Sequence, residues 1–169
     1  MSQNDYYSRT YQKMIHKLSI CPDAYACING SGDYPDICGC AYFAQTAFGV
    51  LVSTELFHLP TSTNPCECRV FAYHIHGNTN CESEYLNPFS SKLTHYNPHN
   101  SKHPHHAGDL PPIFENNGYA FQCTLTNRFT LKEIIGKIMI LHANPDDFTT
   151  DPSGNAGDRI AFGRIEAYR

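Results

Sequence analysis

The chain has 169 residues, about the length of one domain, with 12 basic and 16 acidic side chains and a formal net charge of −4. That balance excludes nucleic acid as the main partner, because such proteins carry a basic excess or stripe. Charged residues are only 17% of the chain, aromatics are 12%, and eleven Gly with eleven Pro make turns frequent, which fits a compact domain of strands and long loops.

Residues 1–22 read as an arm ahead of a domain spanning 23–169. Tyr7, Tyr11, Met14, Ile15 and Leu18 recur at spacings of three and four, which predicts a short helix with one apolar face. It packs on the domain in the simplest reading; a disordered arm or a dimer contact are the others. The first residues show no apolar core region and no small-residue cleavage site, so the expected location is cytoplasmic. An extracytoplasmic protein whose signal has been removed is the alternative. The longest apolar run, around Ile138 to Leu141, is far below the roughly 20 residues of a membrane-spanning helix, so no membrane partner is expected.

Strands are expected at Ala24–Gly30, at Ile37–Thr46 and Phe48–Phe57 as a tight hairpin, and at Arg69–His76, where Val70, Ala72, His74 and His76 share one side. A polar loop covers residues 60–65. From Gly77 to Asn117 the sequence is nearly aperiodic and holds seven Asn and five of the ten His; loops this long are usually functional. Further strands follow at Tyr119–Thr126, Gly136–His142 and Arg159–Ala167, with an irregular segment from Asn144 to Gly157. The fold class this predicts is all-β: a Greek-key barrel or sandwich of about eight antiparallel strands with two long loops.

His74-Ile75-His76 places two imidazoles on one face of a strand. Five histidines and Asp109 then fall between positions 95 and 109: His95, His99, His103, His105 and His106. Imidazoles with one carboxylate make a tetrahedral zinc set. His142 closes an apolar strand, with Asp146 and Asp147 just beyond it. The eight cysteines include two C-x-C pairs, Cys38/Cys40 and Cys66/Cys68. These could hold Cu(I) or zinc, or be small packed residues.

The segments FAYHIH, HYNPHNSKHPHHAGDLPP and ILHANPDDFTTDPSGNAGDRIAFG resemble the three signature segments of copper–zinc superoxide dismutases, in a bacterial type with shortened loops. The likeness covers about residues 24–167. It implies a copper site of His74, His76, His95 and His142, and a zinc site of His95, His103, His106 and Asp109, with His95 shared. It makes Asp146 the carboxylate linking a copper histidine to a zinc histidine, and Arg159 the arginine at the copper channel. His99 and His105 have no counterpart, though His105 could compete with His106. Four imidazoles suit Cu(II), and three with a carboxylate suit zinc.

The resemblance implies dismutation of superoxide to dioxygen and hydrogen peroxide by redox cycling of copper beside a structural zinc, with His95 as proton donor. A non-catalytic protein that buffers or delivers copper on the same fold is the rival reading, and an interaction domain with vestigial sites is a third. A homodimer is compatible with the sequence, and a copper donor stays unidentified. The departures are specific. Phe162 stands where the family's subunit disulfide has its second cysteine, so Cys81 pairs with Cys66 or Cys68, or stays reduced. Ala72 replaces a usual glycine. The loop from His142 to Arg159 lacks the Lys and Glu that steer substrate in many eukaryotic members.

Overall fold

The computed structural model describes residues 3–64, 67–77 and 93–168, with the backbone alone for residues 3–11. Helix α1 (Gln3–Ile20) lies against the domain through Leu18 and Met14, which pack on Ala44 and Leu51. Lys17 fixes its end, donating to the Gln45 carbonyl at 2.8 Å and pairing with Asp23 at 2.6 Å. Ile15 stays exposed, and the side chains of Tyr7 and Tyr11 lie outside the described residues. No described helix is long and apolar enough to cross a membrane.

Strand β1 (Ala24–Gly30) alternates strictly, with Ala24, Ala26 and Ile28 buried and the residues between them outward. Strands β2 (Cys38–Thr46) and β3 (Gly49–Phe57) form the expected hairpin. Thr46 ties its turn by donating to the Gly49 carbonyl at 2.8 Å.

The expected strand over Arg69–His76 is broken into β4 (Val70–Phe71) and β5 (Tyr73–His76). The break falls at Ala72, whose amide turns to Asn144 and whose carbonyl accepts from His142. Nor does this segment bury one face only: every residue from Phe71 to Gly77 is buried. The core takes one face, and the histidine-rich loop covers the other.

Strand β6 (Ile113–Phe114) pairs with β4 and leads through the Asn116–Tyr119 turn into β7 (Ala120–Thr126). A one-turn helix, α2 (Leu131–Ile134), was not signalled by periodicity; it starts on a capping box in which Glu133 accepts from the Thr130 amide at 2.6 Å. Strand β8 (Ile138–His142) follows. The expected last strand is divided into β9 (Arg159–Arg164) and β10 (Glu166–Ala167). The division is at Ile165, which exchanges backbone bonds with Gly136 and Lys137 instead of a neighbouring strand.

The main sheet runs β5-β8-β9-β1-β2-β3-β7, with β10 also on β1, and every pairing is antiparallel. Three consecutive strands lie side by side and the chain then crosses over, which is Greek-key connectivity. The sheet curls around a core that includes Phe43, Leu56, Phe71, Ile75, Met139 and Leu141. Inside it Thr54 and Tyr73 share a buried hydroxyl–hydroxyl hydrogen bond of 3.2 Å.

Candidate metal centre

Strand alternation sends His74 and His76 to the outer face of β5. The long loop is pinned across that face by backbone bonds: Tyr96 donates to Ile75 at 2.8 Å, Ile75 to Gly108 at 2.9 Å, and Gly108 to Tyr96 at 2.8 Å. Isolated bridges pair His76 with His95 and His74 with Asp109. Gly108 is required here, because a Cβ would strike the Ile75 carbonyl and the Tyr96 backbone. A register shift between Leu141 and His142 at the end of β8 turns His142 toward the same place.

Two groups of donors result. The ligand atoms of His74, His76, His95 and His142 lie within 4.8 Å of one another, as do those of His95, His103, His106 and Asp109. All seven side chains are buried. His99 and His105 are exposed and belong to neither. The C-x-C pair Cys38/Cys40 joins no metal-donor group among the described residues; Cys66 and Cys81, and any bridge between them, lie outside those residues.

The hydrogen bonds fix which nitrogen each ring has to spare. His76 donates through Nδ1 to the Leu93 carbonyl at 2.8 Å, and His142 through Nδ1 to the Gly157 carbonyl at 3.3 Å. Their Nε2 atoms, both left as lone pairs, face each other at 3.2 Å. His74 donates through Nε2 to Asp146 at 2.8 Å, and its buried Nδ1 has no partner. His95 holds Asp109 through Nδ1 at 2.7 Å and has a buried, unpartnered Nε2. His103 donates through Nε2 to Asp146 at 2.7 Å; its Nδ1 lacks a hydrogen bond although Asp109 is 3.3 Å away.

Buried nitrogens without partners are costly, and facing lone pairs repel. A cation in each group satisfies both. The donor chemistry fits copper in the all-imidazole group and zinc in the group with the carboxylate.

The electrostatics agree. Burial lowers His95 to about 4 against the pull of Asp109, and lowers His142 to about 3. Burial and its histidine neighbours hold His76 well below the usual imidazole range. These rings are therefore neutral and ready to coordinate. Burial alone would raise the Asp146 carboxyl, but the bonds from His74, the Phe148 amide and His103 outweigh it and hold it far below the carboxylate range. Gly154, in the left-handed region at φ +65°, closes over this carboxylate where any Cβ would collide with Asp146 and His103. Arg159 donates to the Leu93 carbonyl at 2.7 Å and lines a cleft of about 160 Å³ with His76, His95 and His142.

Three supporting groups carry no motif and were missed in the sequence. The Leu93 carbonyl serves both His76 and Arg159. Asp151 accepts from the His103 amide at 2.8 Å. Arg128 donates to the carbonyls of Asp109, His106 and Pro104 at 2.9, 3.4 and 3.4 Å. Phe162 fills the position of the missing cysteine by packing on Leu93, Ile138 and Ile140.

Two donor sets that share one histidine, on the flank of a Greek-key barrel, make a candidate two-metal centre. Residues 37–165 match the family model for copper/zinc superoxide dismutase. The chain is similar to the superoxide dismutase [Cu-Zn] of Legionella pneumophila, 30% identical over 161 residues, spanning 90% of this chain and 93% of the relative. It is also similar to superoxide dismutases [Cu-Zn] 2 and 1 of Aquifex aeolicus, at 33% and 34% identity over 82% and 76% of this chain, and 82% and 79% of those relatives. The chain belongs to the copper/zinc superoxide dismutase family, whose cofactors are copper and zinc.

Proposed function

We propose that this chain dismutes superoxide to dioxygen and hydrogen peroxide, with copper on His74, His76, His95 and His142 and zinc on His95, His103, His106 and Asp109. The observation that carries this reading is the set of buried, unpartnered nitrogens on His74, His95 and His103 together with the facing Nε2 atoms of His76 and His142. Copper, when bound, supplies one-electron exchange in both directions between two superoxide ions.

The chain's own residues do the rest. His95 is engaged through Nδ1 on the zinc side, and its Nε2, whenever it is not given to the metal, would hold a proton and hand it to the nascent peroxide. Asp146 fixes the rings of His74 and His103 at once, so each presents Nδ1 inward. Arg159, anchored on Leu93, attracts the superoxide anion into the cleft.

The test is to load the protein with both metals and measure superoxide removal. Turnover is expected. Tight copper binding without turnover would refute the enzymatic reading in favour of a metal-buffering protein. Arg159→Leu is expected to lower the rate about tenfold with both metals retained; an unchanged rate removes Arg159 from substrate attraction.

A further inference from the structure

On the outer face of the barrel, away from the metal residues, β1 and β2 carry cysteines directly opposite one another. Cys27 pairs in register with Cys40, and their sulfur atoms are 4.0 Å apart. Both are free thiols, Cys27 exposed and Cys40 half-buried. We propose that Cys27 and Cys40 form a redox-responsive dithiol that closes to a cross-strand disulfide when hydrogen peroxide reaches it. This goes beyond superoxide removal and does not depend on which residues hold the metals.

The ladder places the pair correctly. Gly30 donates to the Ile37 carbonyl at 2.7 Å, marking a hydrogen-bonded position. Counting back along the same register, Ile28 with Gly39 and Ala26 with Ala41 occupy the next two such positions, and Cys27 and Cys40 fall between them. At non-hydrogen-bonded positions opposite Cα atoms approach to ~4.5 Å and side chains lie closest, within the ~4.4–6.8 Å that a disulfide spans. Closing the bond therefore needs side-chain rotation only. Access is also present: the two sulfurs open onto a surface groove of about 1020 Å³ bordered by Tyr25, Tyr42 and Tyr168.

The oxidant is the product of the family's own reaction, and the chemistry balances. A thiolate of the pair attacks one peroxide oxygen; the O–O bond breaks, water departs after protonation, and a sulfenic acid remains. The second thiol attacks that sulfur, the S–S bond forms, the S–O bond breaks and a second water leaves. Two thiols lose two electrons and one peroxide becomes two waters. Burial and the neighbouring Cys40 sulfur push the Cys27 thiol up, so closure at neutral pH is slow and follows sustained exposure, not each turnover.

The experiment treats the full chain, loaded with zinc alone or with copper and zinc, with hydrogen peroxide. Residual thiols are then alkylated, and the unreduced protein is cleaved at Asp33, Asp36 and Glu55, which separates Cys27 from Cys38 and Cys40. Both loadings should yield the two fragments joined, about 2 Da lighter than their sum and separable by reductant. The link should persist in Cys38→Ser and vanish in Cys27→Ser and Cys40→Ser. Recovery of Cys27 and Cys40 alkylated, or carrying added oxygen with no link, overturns the proposal. So does a link that needs copper, which assigns it to metal-driven oxidation, or one lost in Cys38→Ser.

Discussion

Asp146 holds two rings with one carboxylate, at 2.8 Å to His74 and 2.7 Å to His103. In Asp146→Asn one of the two imidazole N–H groups meets an amide NH₂ in place of an acceptor, and that ring is no longer held. Metal retention in competition with a chelator is expected to fall by about 10- to 100-fold at one or both sites; unchanged affinity at both would show that ring orientation does not depend on Asp146. Protonation gives a second prediction, for the metal-free chain. His95 and His142 take up a proton near 6.5 when unfolded but near about 4 and about 3 when folded. The unfolded state therefore binds more protons as pH falls from about 6.5, and stability is lost over that window. Asp109, with its folded value depressed, adds a loss in the same direction at lower pH. Chemical denaturation of metal-free protein is expected to show a loss on the order of 3–5 kcal/mol between pH 7 and about pH 4.5; a flat profile would mean that these rings are not buried neutral. The two buried donor groups were legible because identical imidazoles at strand and loop spacings leave a visible mark. Leu93, which contributes a backbone oxygen, leaves none.

At the scale of elements, β1 and β7 follow their alternation because each has one face on the core and one toward solvent, and the β2–β3 hairpin departs from it at Ala44 and Leu51, which α1 covers. The segment from Val70 to His76 does not alternate, since the loop carrying His95 to Asp109 covers its second face and Ala72 is drawn out of the ladder by Asn144 and His142. Such tertiary demands have no local signature. The same holds for α2, too short for a period, and for the split at Ile165. Phe162 shows one element supporting another across the fold: projecting from β9, it packs beside Leu93 of the loop and Ile138 and Ile140 of β8. Phe162→Ala is expected to destabilise the protein by about 2 kcal/mol, less than a fully buried Phe→Ala because the ring is half-buried. It should also loosen the loop on which Arg159 and His76 are anchored. Denaturation curves with metal retention measured in parallel check both; loss of stability with undisturbed metal binding would confine Phe162 to packing.

For the whole molecule, charge works against the substrate. The net charge is −4, and the segment from His142 to Arg159 carries Asp146, Asp147, Asp151 and Asp158 with Arg159 its only Lys or Arg. On the proposed function, attraction of superoxide then rests on a short-range contact with Arg159 and the metals, not on a long-range positive field. The rate of superoxide removal is expected to change by less than about twofold between low and physiological ionic strength. A steep fall with added salt would reveal a steering field that these residues do not account for. The overall architecture was legible because strand alternation and two long polar loops constrain it strongly; the division of labour within those loops was not, because backbone carbonyls perform much of it.

The Leu93 carbonyl accepts from His76 and from Arg159 together. A main-chain oxygen is present whatever side chain stands at 93, so no single replacement there deletes the acceptor itself. On the proposed function, one backbone oxygen therefore supports both a metal-binding ring and the anion-attracting arginine. A shift of the loop at this position would disturb both contacts at once.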